Sequence, residues 1–235
     1  MNTHSDISIR KAAVIAGVSS VVMFFAAMLA EFYGRQRLIV SAHANLTASN
    51  IIQYPLSFRM GMLGFIIVLI CDVLVSWALY IFLSPVNKSL SLLAALFRLV
   101  YTAIFGVSLL NLMTGFRLLT DIHYTSAVNK QTLTLFNAFD DGWAIGLLFF
   151  SIHLWLLAYL IFNARFAPKV IGIFLFLASI AYLTDNLAKL LLADYSSYKT
   201  LLTILVAIPS IIGEVGFAIW LLIKGRKLAD MEPTF

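Results

Sequence analysis

Apolar residues along this chain do not recur at the spacing of a half-buried helix or strand; they fill whole stretches. Six such stretches, at about 12–32, 58–83, 90–119, 143–162, 169–192 and 200–224, alternate with shorter hydrophilic runs. Each is longer than 17 residues, and about 20 mostly apolar residues carry an α-helix across the hydrocarbon of a bilayer. Barrel strands would read as runs of about ten residues alternating in polarity, and none is present. An irregular segment cannot cross, because unpaired backbone groups are too costly in lipid. The pattern predicts an all-α polytopic membrane protein, a six-transmembrane-helix bundle forming a single membrane domain over residues 1–235.

Two of the hydrophilic runs, 33–57 and 120–142, each exceed 20 residues, whereas helices in bundles are usually joined by about 2–8. Both hold helix-compatible pieces, 45–53 and 131–139. The expectation is a short helix in each, folded over the outer mouth of the bundle; mobile loops are the alternative.

Composition strengthens the membrane reading. Apolar residues make up 62% of the chain, charged ones 11%, and the mean hydropathy is +0.97. A water-soluble domain averages about 45–50% apolar and 25% charged, so a soluble enzyme, a disordered chain and a disulfide scaffold are excluded. The net charge of +5 comes from Lys and Arg scattered among the loops. No basic patch with interleaved aromatics argues for nucleic acid as a partner; the lipid bilayer is the expected one. The single cysteine, Cys71, sits inside an apolar run and can form neither an intrachain disulfide nor a cysteine-based zinc site.

Orientation follows from loop cations. With both termini cytoplasmic, the inside holds eight: Arg10, Lys11, Lys88, Arg165, Lys169, Lys224, Arg226 and Lys227. The outside holds six: Arg35, Arg37, Arg59, Arg117, Lys130 and Lys199. The two shortest inside loops, 84–89 and 163–168, concentrate their charge, so both termini are expected in the cytoplasm. Arg10 and Lys11 before the first apolar run resemble a signal peptide. The run itself is about 20 residues, beyond the usual signal core of about 7–15, so it is expected to stay as a span.

Four strings carry a family likeness: NLTASNI at 45–51 with SFRMG at 57–61, the run from Asp72 to Tyr101 beginning DVLVSWALYIF, HLWLLAYLIF with APKVIGIFLFLASIAYLTD between His153 and Asp185, and PSIIGEVGFAIWLLIKG at 209–225. In that order they resemble a bacterial family of six-span membrane proteins catalogued as domain of unknown function 4386. The resemblance implies a multi-pass protein of the inner (plasma) membrane and lends no activity and no cofactor.

Ionisable side chains within a span cost about 2.5–3.5 kcal/mol each on insertion scales, so they turn to the protein interior and find partners. The spans carry Glu31, Asp72, Arg98, His153, Asp185, Lys189 and Glu214. Counted from the span ends, Asp72, His153 and Glu214 fall near mid-depth and Arg98 slightly towards the cytoplasm. Asp185, Lys189 and Glu31 fall in the outer half. Glu31 and Arg117 end their spans and read as interfacial anchors. The candidate ligand or proton pocket is therefore Asp72, Arg98, His153, Asp185, Lys189 and Glu214.

Each of these has a purely structural reading beside the functional one. Asp185 and Lys189 are four apart, acid first, and can pair along one helix face. A lone buried histidine such as His153 is commonly satisfied by its neighbours. Arg98 stays charged in proteins and needs an anion, for which Asp72 and Glu214 are the candidates. If Lys189 takes Asp185, one guanidinium faces two carboxyls. Glu214 is expected to be the one left over, with Ser210 and the Leu205 carbonyl as partners. Pro209 cannot donate to that carbonyl, so the sixth span should also kink. Thr203, Ala207, Ser210, Glu214 and Ala218 form one small or polar stripe there, and Ala178, Ala181, Tyr182, Asp185 and Lys189 another on the fifth span.

No HExxH, GxSxG, P-loop or CxxC motif occurs, and His153 has no second histidine at helical spacing. No metal and no cofactor is expected. Three function classes stay open. One binds or conducts a small ligand or proton, with a small-molecule or lipid ligand as partner. A second is a structural or interaction protein whose charges fix helix packing. The third is an intramembrane enzyme acting on a lipophilic substrate, with His153 as base.

Overall fold

The computed structural model describes residues 7–121 and 125–225. Arg226 and Lys227 of the cytoplasmic charge count lie outside the described residues. The described elements are all helical: α1 (Ile9–Met28) continued by a π-helical segment (Leu29–Gln36), α2 (Ala44–Gln53), α3 (Pro55–Leu83), α4 (Lys88–Asp121), α5 (Ser126–Asn163) and α6 (Lys169–Leu191). A short 3-10 turn (Tyr195–Ser197) leads to α7 (Lys199–Ser210), a π-helical turn (Ile211–Val215) and α8 (Gly216–Ile223). Six helices are long and apolar enough to cross a membrane: Ile9–Gln36, Pro55–Leu83, Lys88–Thr120, Ser126–Asn163, Lys169–Leu191 and Lys199–Ile223. The protein is an all-α polytopic membrane protein.

Local chemistry sets the helix ends. Pro55 opens α3, where its missing N–H costs nothing. Pro85 stands just after that helix, and the Asn87 side chain accepts a hydrogen bond from the Leu90 N–H at 3.0 Å to cap α4. Thr125 does the same for the Val128 N–H at the start of α5. Pro168 precedes Lys169 with φ −66° and ψ 124°, an extended geometry that leads into α6.

The first long hydrophilic run, 33–57, contains α2, as the sequence predicts. The second differs: residues 131–139 are helical, but as the opening turns of α5, which continues unbroken through the predicted fourth span. No proline interrupts 126–163, both glycines, Gly142 and Gly146, lie inside the helix, and Gly142 is used for packing. A Cβ added there would stand 2.2 Å from Ser108 Oγ. Pro209, where the sequence leads one to expect a kink, lies inside α7, and the π-helical turn that follows it carries Glu214.

The chain divides into two compact units. Unit 1 comprises Met1–Val22, Cys71–Tyr101 and Leu147–Phe235. Its core joins the buried alanines Ala12, Ala13 and Ala16 of α1 to Leu157, Ile161, Leu175 and Leu221. At one end the rings of Phe82, Phe166, Trp220 and Phe217 pack in series, with centroids 5.5–6.3 Å apart. Ser76 and Ser91 donate to the carbonyls of Ala95 and Tyr80, linking α3 and α4 through polar groups that would otherwise stand unpaired in hydrocarbon.

Unit 2 comprises Met23–Ile70 and Thr102–Gly146. Its core is aromatic: Phe58 stacks on Phe116 at 5.3 Å, and Phe65, Phe105, Phe139 and Trp143 form a second cluster. The first π-helical segment approaches α3 so closely that a Cβ on Gly34 would lie 2.3 Å from Gly61 Cα. Only glycine at both positions lets these backbones meet.

Candidate functional site

Asp72, Arg98 and His153 come from α3, α4 and α5 and meet inside unit 1, where they are 1%, 4% and 1% exposed. Arg98 Nε and Nη2 both donate to Asp72 Oδ1, at 2.9 and 2.7 Å. Arg98 Nη1 lies 3.2 Å from His153 Nε2. A guanidinium can only donate, so Nε2 is the acceptor and the ring proton sits on Nδ1, which donates to the Ala94 carbonyl at 2.9 Å. Both nitrogens of His153 are thus engaged.

Phe150, one turn before His153, carries the guanidinium on its face at 5.3 Å and lies 5.6 Å from the imidazole. This cation–π contact supplements the ion pair at a buried position. Asp72 Oδ2 is buried and has no hydrogen-bond partner among the described residues. A buried carboxylate oxygen without a donor forfeits several kilocalories of solvation, and it is the outstanding acceptor of the site.

Glu214 approaches from the π-helical turn. It lies in the electrostatic field of both Arg98 and Asp72, and its carboxyl faces the Tyr182 hydroxyl of α6. Tyr182 also meets the Ser210 hydroxyl, and its ring packs edge-on against Phe150 at 5.6 Å. Ser210 donates to the Val206 carbonyl at 2.6 Å. Asp72 is therefore the direct anion of Arg98, and Glu214 is the carboxyl held beside the pair. Its partner is Tyr182, where Ser210 and the Leu205 carbonyl were the expectation. The reason lies in the turn: the π-helical register turns residue 214 towards α6.

One turn along α6, Asp185 forms a second ionic cluster. Lys189 Nζ donates to Oδ2 at 2.6 Å, the expected pair along the helix. Tyr195 Oη donates to Oδ1 at 2.7 Å and its ring lies 5.7 Å from Lys189 Nζ. Tyr195 belongs to the turn after α6; burial first, and then the bond to Asp185, pushes its hydroxyl above the usual phenol range. Its neighbour Asp194 is exposed and held below the usual carboxylate range by the Ser197 and Ser196 hydroxyls. Among the described residues, no three of His, Cys, Asp and Glu form a metal-ligand group.

Five of the six predicted residues thus fall into two clusters of unit 1, Asp72–Arg98–His153 and Asp185–Lys189, and the sixth, Glu214, lies with Tyr182 between them. A third centre, in unit 2, goes beyond the prediction. Arg35 makes a two-pronged ion pair with Glu31, reaches Asp140 Oδ1 at 2.7 Å, and lies over the rings of Phe139 and Trp143 at 5.7 and 5.8 Å. Glu31 is accordingly an ion-pair partner, whereas Arg117 is exposed at its span end. The i, i+4 spacing of Glu31 and Arg35 was readable in the sequence; the participation of Asp140, 105 residues away, was not.

A protein of Archaeoglobus fulgidus, described as an uncharacterized protein, is 35% identical over 174 residues, which cover 74% of this chain and 89% of the relative. No solved structure matches the chain. The family described as Domain of unknown function (DUF4386) matches residues 15–225, which include every residue of the site, and the chain belongs to that family.

Proposed function

We propose that the chain binds or conducts a small ligand or proton at the polar pocket formed by Asp72, Arg98, His153 and Glu214 in the cytoplasmic (inner) membrane, with both termini in the cytoplasm. The observation that carries this reading is Asp72 Oδ2, a buried acceptor with no donor among the described residues. Its neighbours supply none: the nearest guanidinium nitrogens are both committed to Oδ1, and His153 donates to a carbonyl. A species that brings a hydrogen-bond donor fits that oxygen, and a proton would bind it directly, turning Oδ2 from an unpaired acceptor into an O–H donor. The carboxyl of Glu214 lies within electrostatic reach of it.

The structural alternative draws support from the completeness of the other pairings, since Asp185 has both oxygens bonded. An enzyme using His153 as base gains no support, because the ring is 1% exposed and both nitrogens are engaged.

Potential-driven proton entry into proteoliposomes, followed with an enclosed pH dye, tests the reading. The expected result is acidification faster than in protein-free vesicles, reduced about tenfold by Asp72→Asn in folded protein, a change of about 1.4 kcal/mol in barrier. A wild-type rate equal to that of protein-free vesicles transfers the assignment to the structural alternative.

A further inference from the structure

We infer that His153 is a positioning residue: its bond to Arg98 Nη1 holds the guanidinium off Asp72 Oδ2 and keeps that oxygen open to the species the pocket takes. The inference rests on the proposed function and names the residue that controls its binding atom. Two contacts fix the imidazole. Nδ1 lies 2.9 Å from the Ala94 carbonyl, and a carbonyl only accepts, so Nδ1 carries the ring proton. Nε2 then offers its lone pair to Arg98 Nη1, at 3.2 Å. Ala94 and Arg98 stand four residues apart on α4, so the ring bridges one turn of that helix and cannot swing without losing a bond. Phe150 lies against the face of the guanidinium at 5.3 Å and limits its tilt. His153 is left to set its rotation in plane.

That rotation decides how the ion pair closes. An arginine beside a carboxylate favours two parallel bonds, one to each oxygen, which add both energy and direction. Here Nε and Nη2 converge on Oδ1, at 2.9 and 2.7 Å, and Oδ2 is buried with no donor among the described residues. Forgoing the parallel pair and leaving a buried acceptor bare both cost stability. The bond that offsets them is the one from Nη1 to His153. A side chain without an acceptor at 153 would release Nη1, and a small in-plane turn would carry Nη2 from Oδ1 onto Oδ2. The pocket would then be closed by its own arginine.

The test compares His153→Leu, which has no acceptor, with His153→Gln, whose amide can accept from Nη1 and donate to the Ala94 carbonyl. The full chain in lipid nanodiscs is read by infrared spectroscopy at the carboxylate stretches that Asp72→Asn removes. Equal bonding of the two oxygens narrows the gap between the antisymmetric and symmetric stretches, and one-sided bonding widens it. His153→Leu is expected to narrow the gap and to lower proton entry into proteoliposomes about tenfold, the loss expected of Asp72→Asn. His153→Gln is expected to restore both. His153→Phe, which keeps a ring beside Phe150, serves if the leucine variant does not fold; failure of both to fold, with His153→Gln folded, makes the histidine structural and overturns the inference. An unchanged gap in the folded variant without an acceptor overturns it too, as does the absence of any Asp72-dependent carboxylate band in the wild type. Failure of the positioning role alone leaves proton entry sensitive to Asp72→Asn and indifferent to His153→Leu. Failure of the proposed function instead shows as wild-type vesicles no faster than protein-free ones, with the infrared comparison still readable.

Discussion

Arg98 reaches Asp72 with two donors but engages only one of its oxygens: Nε and Nη2 both end on Oδ1, at 2.9 and 2.7 Å. A side-on fork would have satisfied both oxygens. Here the third edge of the guanidinium is turned to His153, and the geometry that serves the histidine leaves Oδ2 as an acceptor without a donor among the described residues.

Breaking this pair should be costly. Arg98→Ala leaves a buried carboxylate without its cation, a loss of about 3–5 kcal/mol, read as a fall in folded yield and melting temperature in detergent. Adding Asp72→Asn should recover part of the loss, and adding Glu214→Gln less, because only Asp72 is bonded directly. If the Asp72 double variant is no better than the single one, the two residues do not stabilise each other.

The glycine contact in unit 2 gives a second expectation. A Cβ on Gly61 would stand 2.7 Å from Gly34 Cα, against backbone that cannot move aside. Gly61→Ala should destabilise by about 1–3 kcal/mol. Gly216 has nothing within 4 Å of its would-be Cβ, so Gly216→Ala should be neutral or stabilise by up to about 1 kcal/mol. Thermal unfolding of the two variants side by side checks the contrast; equal losses would contradict it.

Tyr195 predicts an alkaline effect. Its pKa is raised in the folded chain, so the folded state holds the phenol proton at pH values where the unfolded state has released it. The stabilisation is full below the unfolded value of about 10 and is lost as pH rises through the folded value. Melting curves of wild type and Tyr195→Phe should therefore converge as pH rises above about 10. A gap that stays constant over that range would show that the hydroxyl does not titrate with stability.

Orientation is open to a reporter fusion. A phosphatase that is active only outside the cytoplasm, fused after Gly225, should be silent, and one inserted in the loop before α2 should be active. The reverse pattern would invert the membrane orientation proposed for the chain.

The six spans were determined by the sequence alone, because crossing hydrocarbon demands length and apolarity within each segment and needs no knowledge of neighbours. The same holds for the Asp185–Lys189 pair, whose spacing along one helix fixes its contact. Arg98 could be seen to need an anion, but whether Asp72 or Glu214 supplies it depends on how α3, α4 and the π-helical turn face one another, and no local rule gives that. The length of α5 was missed because polar residues at 126–142 read as loop, although nothing in them stops a helix. Tertiary structure decided the rest: Arg35 meets Asp140 across 105 residues, Tyr195 closes on Asp185, and Asp72 Oδ2 is left without a donor. Hydrophobicity is a property of a segment, whereas a partner is a property of packing.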